Sequence, residues 1–110
     1  MDPLDAMTAA PANHDVLLEN DRVRILDTRI APGERTPVHT HEWPGSLCVL
    51  TWSEIVRYDP DGNVLFDSRT LDAQPAPGAS LWAPARGPHA TENVGTTELR
   101  AIAVELKPPA

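Results

Sequence analysis

The sequence predicts an all-β fold, a small sandwich or barrel, and three observations predict it. Twelve prolines in 110 residues are too many for a helical protein, since each removes a backbone donor and breaks helix interiors. Short apolar runs recur along the chain with turn residues between them, several alternating polar and apolar with the period of two that strands require. No stretch carries the 3.6-residue period of an amphipathic helix.

In chain order, residues 1–15 are rich in Ala, Pro, Asp and Asn and lack periodicity. They read as a flexible N-terminal arm, with His14 an exposed histidine of that arm. Val16 to Glu19 is a short strand and Asn20-Asp21 a turn. Arg22 to Ile30 alternates with one slip at Ile25-Leu26, which a β-bulge or burial on both faces would explain. Ala31-Pro32-Gly33-Glu34 turns the chain into Thr36-Pro37-Val38-His39-Thr40-His41. Glu42 to Gly45 is a loop, and Ser46 to Trp52 is the most apolar strand, expected at the centre of the sheet. Glu54 to Tyr58 alternates, and Asp59-Pro60-Asp61-Gly62-Asn63 is a strong hairpin turn. Val64 to Phe66 and Arg69 to Leu71 are weaker strands, followed by a turn over residues 73–78. Ala79 to Ala83 leads into Pro84-Ala85-Arg86-Gly87-Pro88-His89. A last long strand runs from Thr97 to Leu106 before a proline-containing tail. One domain, residues 16–107, holds all of this, which suits a chain of this length.

The formal charge of −7 argues against a surface for nucleic acid or an anionic membrane. The positive charge is almost all arginine, Lys107 being the only lysine. Cys48 is the only cysteine, so no intrachain disulfide forms. The first residues lack the features of a signal peptide, and no apolar stretch is long enough to span a membrane. A cytoplasmic protein is the expectation.

His39 and His41, separated by one residue, face the same way on a strand and can reach one metal ion together. His89 is the third histidine, with Asn93 four residues on. A divalent transition metal takes neutral imidazole nitrogens, so His39, His41 and His89 are the candidate ligands. Cys48 is read as a small buried hydrophobe that alternation could turn inward. Trp43, Trp52 and Trp82 are read as core or interface aromatics, and Asn93 as tying down a turn. Arg86 is read as a solvated loop residue, with a ligand carboxylate as its alternative partner.

These two motifs resemble those of the cupins. Gly33, His39 and His41 match the first cupin motif, and Gly78, Pro84, His89 and Asn93 match the second, with Gly87 one place late. The match covers roughly residues 22–106, and within the family it is most similar to small single-domain cupins of β-alanine degradation. The resemblance implies a double-stranded β-helix, or jelly roll, with one metal inside and often a homodimer. Two departures stand out. The family's glutamate ligand would fall at Gly45 or Ser46, and the closing glycine of the first motif near Ser53. Glu42 is no substitute, because it is adjacent to His41 and faces away.

The expectation is therefore one divalent transition metal ion per chain (Fe, Zn, Ni or Mn) held by three histidines without a protein carboxylate. The expected partners are a small organic acid and a second copy of the chain. Two functions compete: a metal-dependent oxygenase acting on that acid, and a non-catalytic cupin that senses or stores a small molecule or metal. No catalytic base can be assigned from sequence, and fold alone does not decide.

Overall fold

Side chains alternate across a pleated strand, and the last strand shows this most clearly. Leu99, Ala101, Ala103 and Glu105 are buried while the residues between them are more exposed. The structure, a computed structural model, describes residues 2–109. Its elements are α1 (Ala6–Ala9), β1 (His14–Glu19), β2 (Val23–Ile30), β3 (His39–His41), β4 (Gly45–Thr51), β5 (Ile55–Tyr58), β6 (Val64–Asp67), a 3-10 turn (Ser68–Thr70), β7 (Ser80–Ala83), β8 (Arg86–Asn93) and β9 (Leu99–Leu106).

Two antiparallel sheets form, in the orders β1-β2-β9-β4-β7 and β3-β8-β5-β6. The longest ladder pairs β2 with β9 without interruption, from Val23 opposite Leu106 to Ile30 opposite Leu99. Leu26 and Val49 are fully buried, and Ile30, Ile55 and Leu99 form an apolar cluster closed by Trp52 and Phe66. The other part of the interior is a cavity between the sheets, with Ile30 and Leu99 on one wall and Ile55 and Thr91 on the other.

Five expectations are corrected. The segment before Val16 is no flexible arm: it forms α1 and starts β1, and Asp5, Ala6, Ala10, Asn13 and His14 are all buried. Small alanines let the segment lie against the barrel, where Asp5 caps α1 and meets the buried Arg24. Those tertiary contacts outweigh a composition that locally favours no structure. Residues 68–70 form a 3-10 turn rather than a strand, because the Asp67 carboxylate accepts from Arg69 N at 3.0 Å and curls the backbone. The second histidine stretch is itself a long strand, β8, despite Gly87 and Pro88. The centre of the five-stranded sheet is β9, with β4 beside it. The slip at Ile25-Leu26 marks no bulge in β2; the irregularity lies in the partner β1, between Val16 and Leu18.

Asn93 ties its turn with every polar group it has. Its Nδ2 donates to Ile30 O at 2.9 Å and Thr97 O at 2.8 Å. Its Oδ1 accepts from Ser53 Oγ at 2.6 Å and Gly95 N at 3.0 Å.

Candidate metal centre

Antiparallel pairing sets the histidines in place. His39 on β3 lies opposite His89 on β8, and His41 lies opposite Arg86. From the other sheet, His14 enters at the first position of β1, 2% exposed. The ring centres are 5.0 Å apart for His39 and His41, 4.5 Å for His39 and His89, and 5.6 Å for His41 and His89. His14 stands 5.1 Å from His39 and 5.3 Å from His41. The ligand atoms of His14, His39 and His41 form a triad in which all lie within 4.8 Å of one another. His89 flanks the His39–His41 pair and stands outside that triad. His14, set aside in the sequence as a tail residue, belongs to the centre.

Each ring is held by an oxygen on its Nδ1 side. His14 Nδ1 lies 3.0 Å from Ala10 O, His39 Nδ1 2.8 Å from Pro37 O, and His89 Nδ1 2.8 Å from Gly87 O. His41 Nδ1 lies 2.9 Å from Glu105 Oε2. A carbonyl oxygen only accepts, so the ring nitrogen facing it carries the proton and Nε2 keeps its lone pair. His41 likewise carries a proton on the Nδ1 that faces the Glu105 carboxylate. Burial lowers His14 and His39 to about 4 and His89 to about 3, against the favourable Nδ1 contacts. These three rings are neutral at pH 7, the form a metal takes.

The spacing fits a single ion. An imidazole bound through Nε2 at about 2.0–2.1 Å places its ring centre roughly 3.2 Å from the metal, so centres separate by about 4.5 Å at 90° and about 5.2 Å at the tetrahedral angle. The five ring separations, 4.5 to 5.6 Å, lie around those values.

Behind His41 runs a buried chain of charges. Arg24, 2% exposed, donates through Nε to Glu105 Oε1 at 2.7 Å. It also forks onto both oxygens of Asp5 at 2.9 Å each. Burial pushes the Glu105 carboxyl up, but the hydrogen bonds and charges of His41 and Arg24 outweigh it and hold the carboxyl below its usual range. Asp5 is lowered in the same way, Arg24 overcoming burial. Trp43 covers this network, its ring centre 5.0 Å from the Arg24 guanidinium carbon and 5.1 Å from Lys107 Nζ.

Gly45 shows why the expected glutamate is missing. A Cβ there would meet Val104 O at 1.7 Å, so the site accepts no side chain. The carboxylate comes instead from the strand alongside: Glu105 is in register with Gly45 on one side and Arg24 on the other. Its two oxygens accept from Arg24 Nε and face His41 Nδ1.

The cavity at the histidines measures about 110 Å³, and Trp43, Leu47 and Ala103 share its walls. Arg57 and Arg86 line it too, so Arg86 is more than a solvated loop residue. Cys48 is not on these walls; it shares the outer side of β4 with the exposed Leu50. Trp52 packs on the core, whereas Trp82 is 66% exposed. The residues missed in the sequence are His14, Asp5, Arg24, Arg57 and Glu105. Glu105 alone had a legible signal, as the fourth inward position after Leu99, Ala101 and Ala103.

No protein-family model and no curated protein matches this chain. Solved structures do. A cupin domain from Bordetella pertussis Tohama I is 24% identical, with a TM-score of 0.69 over 86% of this chain and 92% of that one. An RmlC-like cupin with a double-stranded β-helix fold from Methanocaldococcus jannaschii is 16% identical, with a TM-score of 0.60 over 86% and 78%. A polyketide cyclase from Streptomyces resistomycificus is 24% identical, with a TM-score of 0.54 over 87% and 66%. None of these three speaks to β-alanine degradation.

Proposed function

We propose that this chain, which has the double-stranded β-helix fold of a small cupin, is a mononuclear metal cupin in which His39, His41 and His89 hold one divalent transition metal ion per chain and His14 adds a fourth imidazole. The observation that carries this is the common tautomer: all four rings are tied through Nδ1 to oxygen acceptors. Such ties are how proteins aim imidazole lone pairs at an ion. A bound ion would polarise an adjacent ligand or, as iron, support oxygen chemistry on it.

The ligand class is a small organic acid. Four neutral imidazoles leave a divalent ion's charge undiminished, and an apolar cavity strengthens its pull on an anion. The roughly 110 Å³ of inner space is somewhat less than an apolar cavity of 150 Å³ that admits benzene. Oxygenation of the acid is the first version of the activity.

One observation favours a second reading, a non-catalytic binding module. The carboxylate nearest the centre, Glu105, is committed to Arg24 and His41, and so is not free to act as a general base. A homodimer belongs to the same proposal: β1 is an edge strand with Val16, Leu17 and Leu18 each more than 40% exposed, and such an edge invites pairing.

The test is elemental analysis of protein purified without added metal, joined to an oxygen electrode with a panel of small organic acids. Near one equivalent of iron with acid-dependent uptake supports the oxygenase. One equivalent of metal without turnover supports the binding module. Protein that neither retains nor takes up a stoichiometric ion refutes the metal centre.

A further inference from the structure

Arg57 and Arg86 pose a charge problem that the rest of the chain does not solve. The protein carries 16 acidic residues, and its other buried arginine, Arg24, has two carboxylates. Neither Arg57 nor Arg86 is in an ion pair among the described residues, and Arg57 Nε is buried with no hydrogen-bond partner. Both are only partly exposed. Burial, and then the charge of Arg86, pulls Arg57 down to about 10, and burial lowers Arg86. Two under-solvated cations therefore face each other without an anion.

Their position matters as much as their charge. Ile55, Arg57, Arg86 and His89 are the residues that line both the inner cavity and a second, outer groove of about 740 Å³. Arg86 sits opposite His41 in the ladder, and the charge of Arg57 is felt at His89. The pair thus stands in a throat between the metal cavity and the surface. Outside it, Trp52, Leu65, Phe66, Leu71 and Leu81 give the groove apolar walls. The acid on that wall, Asp59, is committed to its own turn, accepting from Asp61 N, Asn63 N and Asn63 Nδ2.

We infer that Arg57 and Arg86 clamp the carboxylate of an apolar organic acid in this throat, with its hydrocarbon body in the outer groove and its carboxylate end towards the histidines. Guanidinium groups recognise carboxylates through paired, charge-assisted hydrogen bonds. A carboxylate there would neutralise the pair and satisfy Arg57 Nε. The clamp rests on the metal reading only for what happens beyond the throat.

Phenylacetate and its neutral isostere phenylacetamide distinguish the possibilities, titrated by calorimetry into metal-loaded and chelator-treated protein. Phenylacetate should bind both forms at millimolar concentration or tighter, and phenylacetamide at least about tenfold more weakly. Arg57→Met and Arg86→Gln should each weaken phenylacetate at least about tenfold in both forms, whereas Arg22→Gln, at an exposed arginine elsewhere, should not. Ligand-free Arg57→Met should melt no lower than the parent, because it removes an unpaired, partly buried charge. Binding to metal-loaded protein alone, unaffected by either variant, would overturn the clamp and leave the metal centre standing. Binding to chelator-treated protein that the variants abolish would uphold the clamp even if no ion is held. Equal binding of acid and amide, or no binding of either, overturns it.

Discussion

Replacing Glu105 by glutamine tests whether the carboxylate sets the tautomer of His41. The carboxylate accepts from two donors at once, Arg24 Nε at 2.7 Å and His41 Nδ1 at 2.9 Å. Glutamine keeps the shape but offers one acceptor and one donor end. If its oxygen faces Arg24, its NH2 faces His41, and the ring must move its proton to Nε2 to accept. His41 then no longer presents a lone pair to the ion. If the oxygen faces His41 instead, the NH2 opposes a buried arginine N–H. Losing such an outer partner typically costs 10- to 100-fold in metal affinity, about 1.4–2.7 kcal/mol. The metal-free protein should also weaken by about 1.5–3 kcal/mol, the usual worth of a hydrogen bond to a charged group. The assays are competition with a chelating dye for cobalt or zinc, and urea unfolding with and without the ion. Asp27→Asn is the control, since Asp27 meets a partly exposed arginine, Arg100, on the outer side of the sheet at 3.0 Å and should cost no more than about 1 kcal/mol. Unchanged metal affinity in a folded Glu105→Gln protein would refute the argument that this carboxylate orients His41.

His14→Ala should weaken metal binding by a factor comparable with His39→Ala in the same competition assay; full affinity would return the centre to His39, His41 and His89 alone. The metal-free protein should be less stable in acid: with His14 and His39 lowered to about 4 and His89 to about 3, the unfolded chain takes up protons below about pH 6.5 and the folded one does not. Stability is therefore full above that pH and lost as pH falls towards 4, by up to about 1.4 kcal/mol per pH unit for each histidine. A urea midpoint that is flat from pH 7.5 to 5 would contradict burial of neutral rings. Leu17→Lys on the exposed edge strand should convert a homodimer into a monomer by light scattering; a monomeric parent at micromolar concentration ends the dimer proposal.

The strand pattern was legible because alternation and turn chemistry act locally. Asp59 to Asn63 closes its hairpin with bonds within five residues, and His39 and His41 share a face by pleat alone. His14 was not legible, for the opposite reason. Nothing near it in sequence makes a helix or strand stable, and its place depends on Thr28 across β1–β2 and on Ala10 accepting from its ring. The same applies to Arg57 and Arg86, whose missing partners show only once burial is known. The absent glutamate was read correctly from Gly45, but its physical cause, the Val104 carbonyl filling the Cβ position, belongs to a strand some sixty residues away.

Arg24 bonds to residues 19 positions before it and 81 after it, so a single guanidinium fastens the cap of α1 to β9. On the ribosome, Asp5 and His14 emerge before Arg24, but Glu105 follows it only 81 residues later. Closing the longer of those loops costs roughly 4 kcal/mol of chain entropy beyond a constant, which the nascent chain cannot recover until β9 has joined β2. Until then Arg24 is half-neutralised and His41 lacks its orienting carboxylate. The pocket is thus completed only when β9 joins β2, and a chain synthesised short of Glu105 has no finished pocket to fill.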